Sequence, residues 1–286
     1  MNKQLSAYTN CDFVLVTQHG KGRAVAPAFL QTLNAVVTEL RLDTDTLGTF
    51  TGEVSREGSA LDCARRKCLW GIEESGAEFC LASEGSFGPH PYMPFLPCER
   101  EILYCVDHRH DFELYESRMT HATNYRMKSV SSLAELREFA EQAGFPTHAL
   151  IVRPNEWRDK SILFKGITSL DRLQFAFSES SRASADGLAW IETDMRAHLN
   201  PGRMAVIAEL AAQMAQRLAT VCPACSTPGF GGLRVEKGLR CEACGTATEL
   251  VQFEIFGCAK CAHEETRSRS DGLTAAEPVN CPYCNP

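Results

Sequence analysis

Over its first 220 residues the chain alternates short apolar runs with polar, glycine-bearing stretches, the pattern of strands and helices taken in turn. Phe13-Val14-Leu15-Val16 reads as a first buried strand, broken by Gln18-His19-Gly20-Lys21-Gly22-Arg23. A helix is expected from about Ala26 through Leu30, Leu33 and Val37, then a strand or edge segment from Glu39 to Leu42. Residues 43–53 are rich in turn formers and carboxylates and predict a loop near the end of the sheet. Ser59 to about Glu74 is helical, with Ser59 as N-cap and Leu61, Ala64, Cys68, Leu69 and Ile72 on one face. Phe79 to Ala82 reads as a buried strand that stops at Ser83-Glu84-Gly85-Ser86. Glu101 to Val106 is a third strand, ending in Asp107-His108-Arg109-His110-Asp111. Ser131 to Ala143 is an amphipathic helix closed by Gly144, and His148 to Arg153 is a strand. Lys160 to Ser169 either continues the sheet or begins a helix, whereas the serine-rich stretch 178–187 reads as a solvent-facing loop. A long helix, Met204 to about Thr220, aligns Ile207, Leu210, Ala211, Met214 and Leu218.

These elements predict an α/β domain over residues 1–220, a mixed twisted sheet with flanking helices, and a separate unit over 221–286. A length of 286 residues suits one large domain plus a small one. With 29 Lys and Arg against 36 Asp and Glu, the net charge of -7 excludes a global basic field for nucleic-acid phosphates and leaves only a local patch. The first six residues lack the apolar core of a signal peptide, and no run approaches the roughly 18 apolar residues of a membrane span. A soluble, cytoplasmic protein without a membrane partner is therefore expected.

Of the 14 cysteines, Cys222 and Cys225, Cys241 and Cys244, Cys258 and Cys261, and Cys281 and Cys284 form four Cys-x-x-Cys knuckles. Two knuckles bring four thiolates into a tetrahedron, so two structural zinc ions in a double zinc ribbon are expected, paired sequentially, with interleaved pairing as the alternative. Metal supplies folding free energy that so small a core lacks. The other cysteines, Cys11, Cys63, Cys68, Cys80, Cys98 and Cys105, sit among apolar neighbours and read as buried thiols. Residues 221–286 hold six Lys and Arg against eight Asp and Glu. That balance makes a protein partner or plain structural support as good an expectation for the ribbons as nucleic acid.

Chemistry is expected where polar clusters end strands or open helices. Glu84 follows a buried strand; Lys21 and Arg23 lie in a strand-to-helix loop; Asp62 and Lys67 share a helix edge; Asp107 ends a strand. Asp194, Arg196, His198 and Arg203 precede the last helix. A cation such as Arg203 at a helix N-terminus is mildly disfavoured by the dipole, which is easier to understand if an anion binds there.

The whole chain resembles an uncharacterised bacterial family of unknown function, through His19-Gly20-Lys21, residues 45–53, Ser83 to Pro91, Asp194 to Arg203 and the cysteine tail. Residues 11–110 and 200–218 are also distantly similar to the inosine/xanthosine triphosphate pyrophosphatase superfamily. There a T-x-N-x-x-K-like loop, an E-N-A-x-x-K-A helix, an A-D-D-S-G strand end and a terminal S-H-R occur in order. Thr17 to Lys21, Asp62 to Cys68, Ala82 to Ser86 and Pro201-Gly202-Arg203 stand at the corresponding places. Identities differ: His19 replaces Asn, Asp62 replaces Glu, and Ser83 replaces one of two acids.

That resemblance implies metal-dependent hydrolysis of a nucleoside triphosphate. Asp62 and Glu84, with Asp107, would hold Mg2+ or Mn2+, and Lys21, Lys67 and Arg203 would bind phosphates. Glu84 or a metal-bound hydroxide would direct water onto the α-phosphorus. His19, Ser86 and His90 complete the expected contacts to a nucleotide-like small molecule, and Asp194, Arg196 and His198 would read the base or cap the site. The rival expectation is a non-catalytic nucleotide or nucleic-acid adaptor whose ribbons contact a partner.

Overall fold

A computed structural model describes residues 6–44 and 58–286. The chain opens with β1 (Asp12–Val16), α1 (Gly22–Leu33), β2 (Val36–Leu40), α2 (Ala60–Ser75), β3 (Phe79–Pro89), β4 (Pro97–Asp107) and β5 (Phe112–Thr120). β6 (Met127–Val130), α3 (Leu133–Ala143), β7 (Leu150–Pro154), β8 (Phe164–Ile167), α4 (Leu170–Ala183) and β9 (Ala189–Thr193) follow. α5 (Pro201–Ala219) then leads to β10 (Gly231–Lys237), β11 (Val251–Gly257) and β12 (Glu264–Ser268).

Residues 1–220 thus carry two sheets rather than the single central one expected. The first has the order β2-β1-β3-β4-β5, with β2, β1 and β3 parallel and the rest antiparallel. Its two faces bury different helices. Phe79, Leu81 and Leu103 pack with Phe29 of α1 and Leu210 and Met214 of α5, whereas Cys80, Ala82 and Ile102 pack with Ala64 and Cys68 of α2. This division follows from the period of two along a strand. The second sheet has the order β6-β9-β7-β8 and is wholly antiparallel. β9 lies between β6 and β7, and β7 between β9 and β8, so α3 and α4 each cross over one intervening strand in two interlocked split β-α-β units. α3 and α4 cover one face of that sheet.

Several boundaries depart from the sequence reading. α1 begins at Gly22 and ends where Asn34 turns left-handed (φ 54°), which frees Val36 to start β2. β3 does not stop at Ala82: it pairs with β4 from Phe79↔Asp107 to Pro89↔Pro97, and cross-strand bonding carries it through the glycine-rich segment. The stretch read as a loop over 178–187 is half helix, because Leu173, Ala176, Phe177 and Ser180 form a buried stripe that the polar composition hides. From residue 45 on, the loop expected over 43–53 lies outside the described residues. The six scattered cysteines are buried, as expected. Among the described residues no helix is long and apolar enough to cross a membrane.

The cysteines pair in the interleaved order, which overturns the sequential expectation. Cys222, Cys225, Cys258 and Cys261 form one tetrad, and Cys241, Cys244, Cys281 and Cys284 the other. The antiparallel register is the cause. Gly231↔Gly257 sets the first knuckle beside the third, while six steps along β10, roughly 20 Å away, lies the second knuckle, which the Cys241↔Ala276 bridge joins to the last. Sγ separations of 3.8 and 3.6 Å in one tetrad and 3.9 and 3.6 Å in the other match the edge of about 3.8 Å that a tetrahedron of Zn–S bonds requires. Thr227 and Thr246 hold the Cys225 and Cys244 thiols down at about 6 by side-chain and then backbone hydrogen bonds, favouring the thiolates that metal needs. The geometry suits two structural zinc ions. Interleaving predicts that Cys225→Ser with Cys258→Ser removes one zinc per chain, and Cys225→Ser with Cys244→Ser removes both, as read by elemental analysis after chelator challenge. Sequential pairing would reverse those two results.

Candidate functional site

β1 and β3 separate after Val16↔Ala82, where β3 runs on alone beside β4. At that point the chain leaves β1 for α1 on one face while α2 packs on the other, the switch point at which open α/β sheets bind ligands. Residues from the loop after β1, from α2, β3 and β4, and from the start of α5 converge there.

Lys21 ends the loop. It is 6% exposed, and its Nζ donates to the Ser83 carbonyl at 2.7 Å and the Ser83 Oγ at 3.3 Å. Burial, then the Arg203 charge, holds its amine down at about 7, against opposing contributions from Glu101 and Glu84. His19 stacks on His198 with ring centroids 5.1 Å apart. Burial, with Lys21, His198, Arg196 and Arg203 nearby, lowers it to about 4, so it stays neutral near pH 7. His198 is lowered as well, by burial and Arg196. Asp194 is fully buried, accepts from Arg196 Nε at 2.9 Å and receives the Gly166 amide at 3.0 Å. It orients Arg196 toward the histidines.

Arg203 and Glu101 are both buried and form a two-pronged pair, with Nε to Oε1 at 2.6 Å and Nη2 to Oε2 at 3.3 Å. Arg203 Nη1 donates to the Met195 carbonyl, and its guanidinium lies 5.1 Å from the Phe87 ring centroid. Gly85, opposite Glu101, is required here, since a Cβ would overlap both Glu101 Oε1 and Arg203 Nη2. The anion that the helix N-terminus called for is thus the protein's own Glu101. Likewise Glu39, not a ligand, takes the Gly22 amide at the start of α1 at 2.6 Å. Neither carboxylate was singled out in the sequence, although an acid just before the apolar run Ile102 to Val106 was the available signal for Glu101. Glu99, also missed, is buried and pushed up to about 7 by burial and then by Glu101.

Glu84 faces the α2 side, 6% exposed, and pairs with Lys67. The other expected metal ligands do not join it. Asp62 is exposed at N3 of α2, where its Oδ2 accepts from the Ser59 amide at 2.9 Å and hydroxyl at 2.6 Å in a capping box. Asp107 lies opposite Phe79, five strand positions or roughly 17 Å from Glu84. It accepts from Tyr8 Oη at 2.7 Å and from the His110 amide at 2.8 Å, fastening the β4–β5 turn. Ser86 lies two residues beyond Glu84 on β3, half-buried, and His90 lies just past the strand's end, where Nδ1 accepts the Tyr92 amide at 3.2 Å. Among the described residues only the two cysteine tetrads gather ligands for a metal ion.

Because truncating one partner strands a buried charge, Arg203→Met should cost about 3–5 kcal/mol. Arg203→Met with Glu101→Leu should recover most of that in urea denaturation, and an Arg203→Met protein as stable as the parent would remove the pair from the account.

No curated protein matches the chain. A family model described as a domain of unknown function, DUF6671, matches residues 67–286. The match takes in Lys67, Glu84, Glu101, Arg203 and all eight knuckle cysteines, and leaves the loop with His19 and Lys21 outside. Covering well over half of the sequence, it establishes that the chain belongs to the DUF6671 family.

Proposed function

We propose that the switch-point cluster binds the phosphate groups of a nucleotide-like small molecule. The observation that carries this reading is the convergence of Lys21, Lys67 and Arg203, from three elements distant in sequence, with Arg196 and two neutral histidines beside them. The side chains serve this role and the α1 N-terminus does not, since Glu39 takes the Gly22 amide. Histidines that stay neutral can donate to phosphate oxygens without adding to the repulsion among the cations. The ribbons dock on the first sheet, with Lys260 Nζ donating to the His110 carbonyl at 2.7 Å, at the end of the strands away from the cluster. That leaves the ribbons' outer surface to a partner.

Metal-assisted hydrolysis asks for an acidic set that the described residues do not assemble. Glu84 is occupied by Lys67, Asp62 caps a helix, and Asp107 lies at the far end of β4. One observation nevertheless favours a hydrolytic version: Glu84 sits in the same cluster as Lys21 and Lys67, in the segment order that resembles the inosine/xanthosine triphosphate pyrophosphatases. A polyphosphate drawing Lys67 away would leave the Glu84 carboxylate beside it, able to take a proton from an attacking water.

Lys21 is charged below about pH 7 and neutral above, so tripolyphosphate affinity measured by calorimetry should fall as pH rises from 6 to 9. Lys21→Met should flatten that dependence and weaken binding at pH 6 on the order of tenfold, as expected for one lost charged hydrogen bond. Tripolyphosphate and nucleoside triphosphates that neither bind nor raise Tm would refute the reading. Pyrophosphate release that needs Mg2+ or Mn2+ and vanishes in Glu84→Gln would replace it with the hydrolase.

A further inference from the structure

We infer that the outer edge of the second sheet, along β6, receives an extended acidic peptide as an added strand. β6 stands first in the order β6-β9-β7-β8, so no strand of the sheet lies on its outer side. The ladder fixes which backbone groups face that way. The Thr193 amide donates to the Arg126 carbonyl at 3.1 Å, one step beyond the pair Met127↔Glu192. Bonded and non-bonded pairs alternate along antiparallel strands, so Lys128 and Val130 also turn their backbone groups to β9, while Met127 and Ser129 turn theirs outward. β9 agrees: the Asp194 amide donates to the Ala149 carbonyl at 2.9 Å, which assigns the backbone groups of Glu192 and Trp190 to β7. Among the described residues no turn or loop takes up the Met127 or Ser129 amide.

A cleft of about 650 Å³ lies along this edge. Its lining includes Arg126, Met127 and Lys128, Phe139 of α3, and Phe95 and Pro97 from the connection between β3 and β4. Val130 belongs to the core beneath α3 and α4, so Arg126 and Lys128 lie on the helix side of the strand and Met127 on the other. A cleft that touches both sides, with β9 along the inner edge, opens on the outer one. Four residues and a lysine suffice to discourage accidental pairing. They do not account for a cleft walled by a second sheet beside the free edge.

The lining selects the occupant. It carries two cations and no acid, on a chain of net charge -7. Arg126 Nη1 donates to the neutral Gln142 Oε1 at 2.8 Å, and Lys128 is exposed. Glu135, near Lys128, is held by the Ser131 amide at 2.7 Å and hydroxyl at 3.0 Å. The outward backbone groups alternate donors with acceptors, which a peptide strand matches and a phosphate, offering acceptors, does not. Arg126 and Lys128 stand two residues apart on one side, so the matching segment carries carboxylates at alternate positions, with apolar residues between them on the side of Met127. A second copy of the chain fits poorly. Antiparallel pairing of β6 with itself about Met127 or Lys128 sets Lys128 against Arg126 or against its own copy, and like charges directly opposite are destabilising.

Zinc-replete full-length protein would be titrated, by fluorescence anisotropy, with a capped, fluorescein-labelled peptide that alternates valine and glutamate. Saturable binding is expected, and it should be lost when lysine replaces glutamate in the peptide. Of two versions N-methylated at alternate amides, the one whose methyls face β6 should fail and the other should bind. Lys128→Glu should weaken binding severalfold with an unchanged melting curve. Met127→Pro removes one outward donor at an edge position that tolerates proline, and should lower affinity roughly tenfold. Amide exchange gives a reading that needs no variant: Met127 and Ser129 should gain protection on binding, whereas Lys128 and Val130, already bonded to β9, should not. The inference is overturned if the glutamate peptide does not bind, if both N-methylated versions bind like the parent peptide, or if Lys128→Glu binds as the parent protein does. Octanoate, a carboxylate without a peptide backbone, displacing the label as well as unlabelled peptide would assign the cleft to small organic anions instead. A concentration-dependent dimer that Met127→Pro abolishes would give the edge to a second copy and overturn the inference equally.

Discussion

The buried pair of Arg203 and Glu101 is the constraint on which the first sheet, the second sheet and the site between them all depend. Two ions of opposite sign, each almost without solvent contact, tolerate no slack: either alone is a charge in a low-dielectric interior. Their geometry therefore dictates that of their neighbours. Gly85 must lack a side chain, Met195 must present its carbonyl, and the Phe87 ring lies beside the guanidinium. Arg203 also opens α5, whose amide at that position is capped by Asn200 Oδ1 at 3.0 Å, and Asn200 Nδ2 reaches Asn124 Oδ1 at 2.9 Å. Asn124 stands where the chain enters the second sheet and Asn200 where it leaves. A single charged contact on β4 thus fixes both the start of the last helix and the connections of everything inserted before it.

Around this pair the site is organised by a competition between cations for few carboxylates. Glu101 is taken by Arg203, Glu84 by Lys67 and Asp194 by Arg196, while among the described residues Lys21 donates only to a carbonyl and a hydroxyl. Burial and then the Arg203 charge drive the lysine toward neutrality, and burial first, with the nearby positive charges second, keeps the two histidines uncharged. An incoming phosphate reverses each of these costs at once, whereas a divalent cation would meet carboxylates already engaged. The proposed phosphate binding at this location rests on that engagement of Glu101, Glu84 and Asp194 by Arg203, Lys67 and Arg196.

What could be read from the residues was whatever local chemistry decides. Ser59 caps its helix and Gly144 stops one, as a side chain or the lack of one dictates. The switch-point residues Lys21, Glu84 and Arg203 were also nominated, because each lies where a strand ends or a helix opens, and Lys67 because it shares a helix edge with Asp62. Long-range pairing was not legible. Ser83 to Pro89 looks like a break because serine and glycine rarely sustain a strand, yet seven cross-strand pairs with β4 hold it extended. The polar stripe of α4 concealed four buried positions, and the order of the cysteine knuckles waited on the register of β10 against β11. Glu101 and Glu39 escaped notice for the same reason: each acts on a partner that only the tertiary fold brings near.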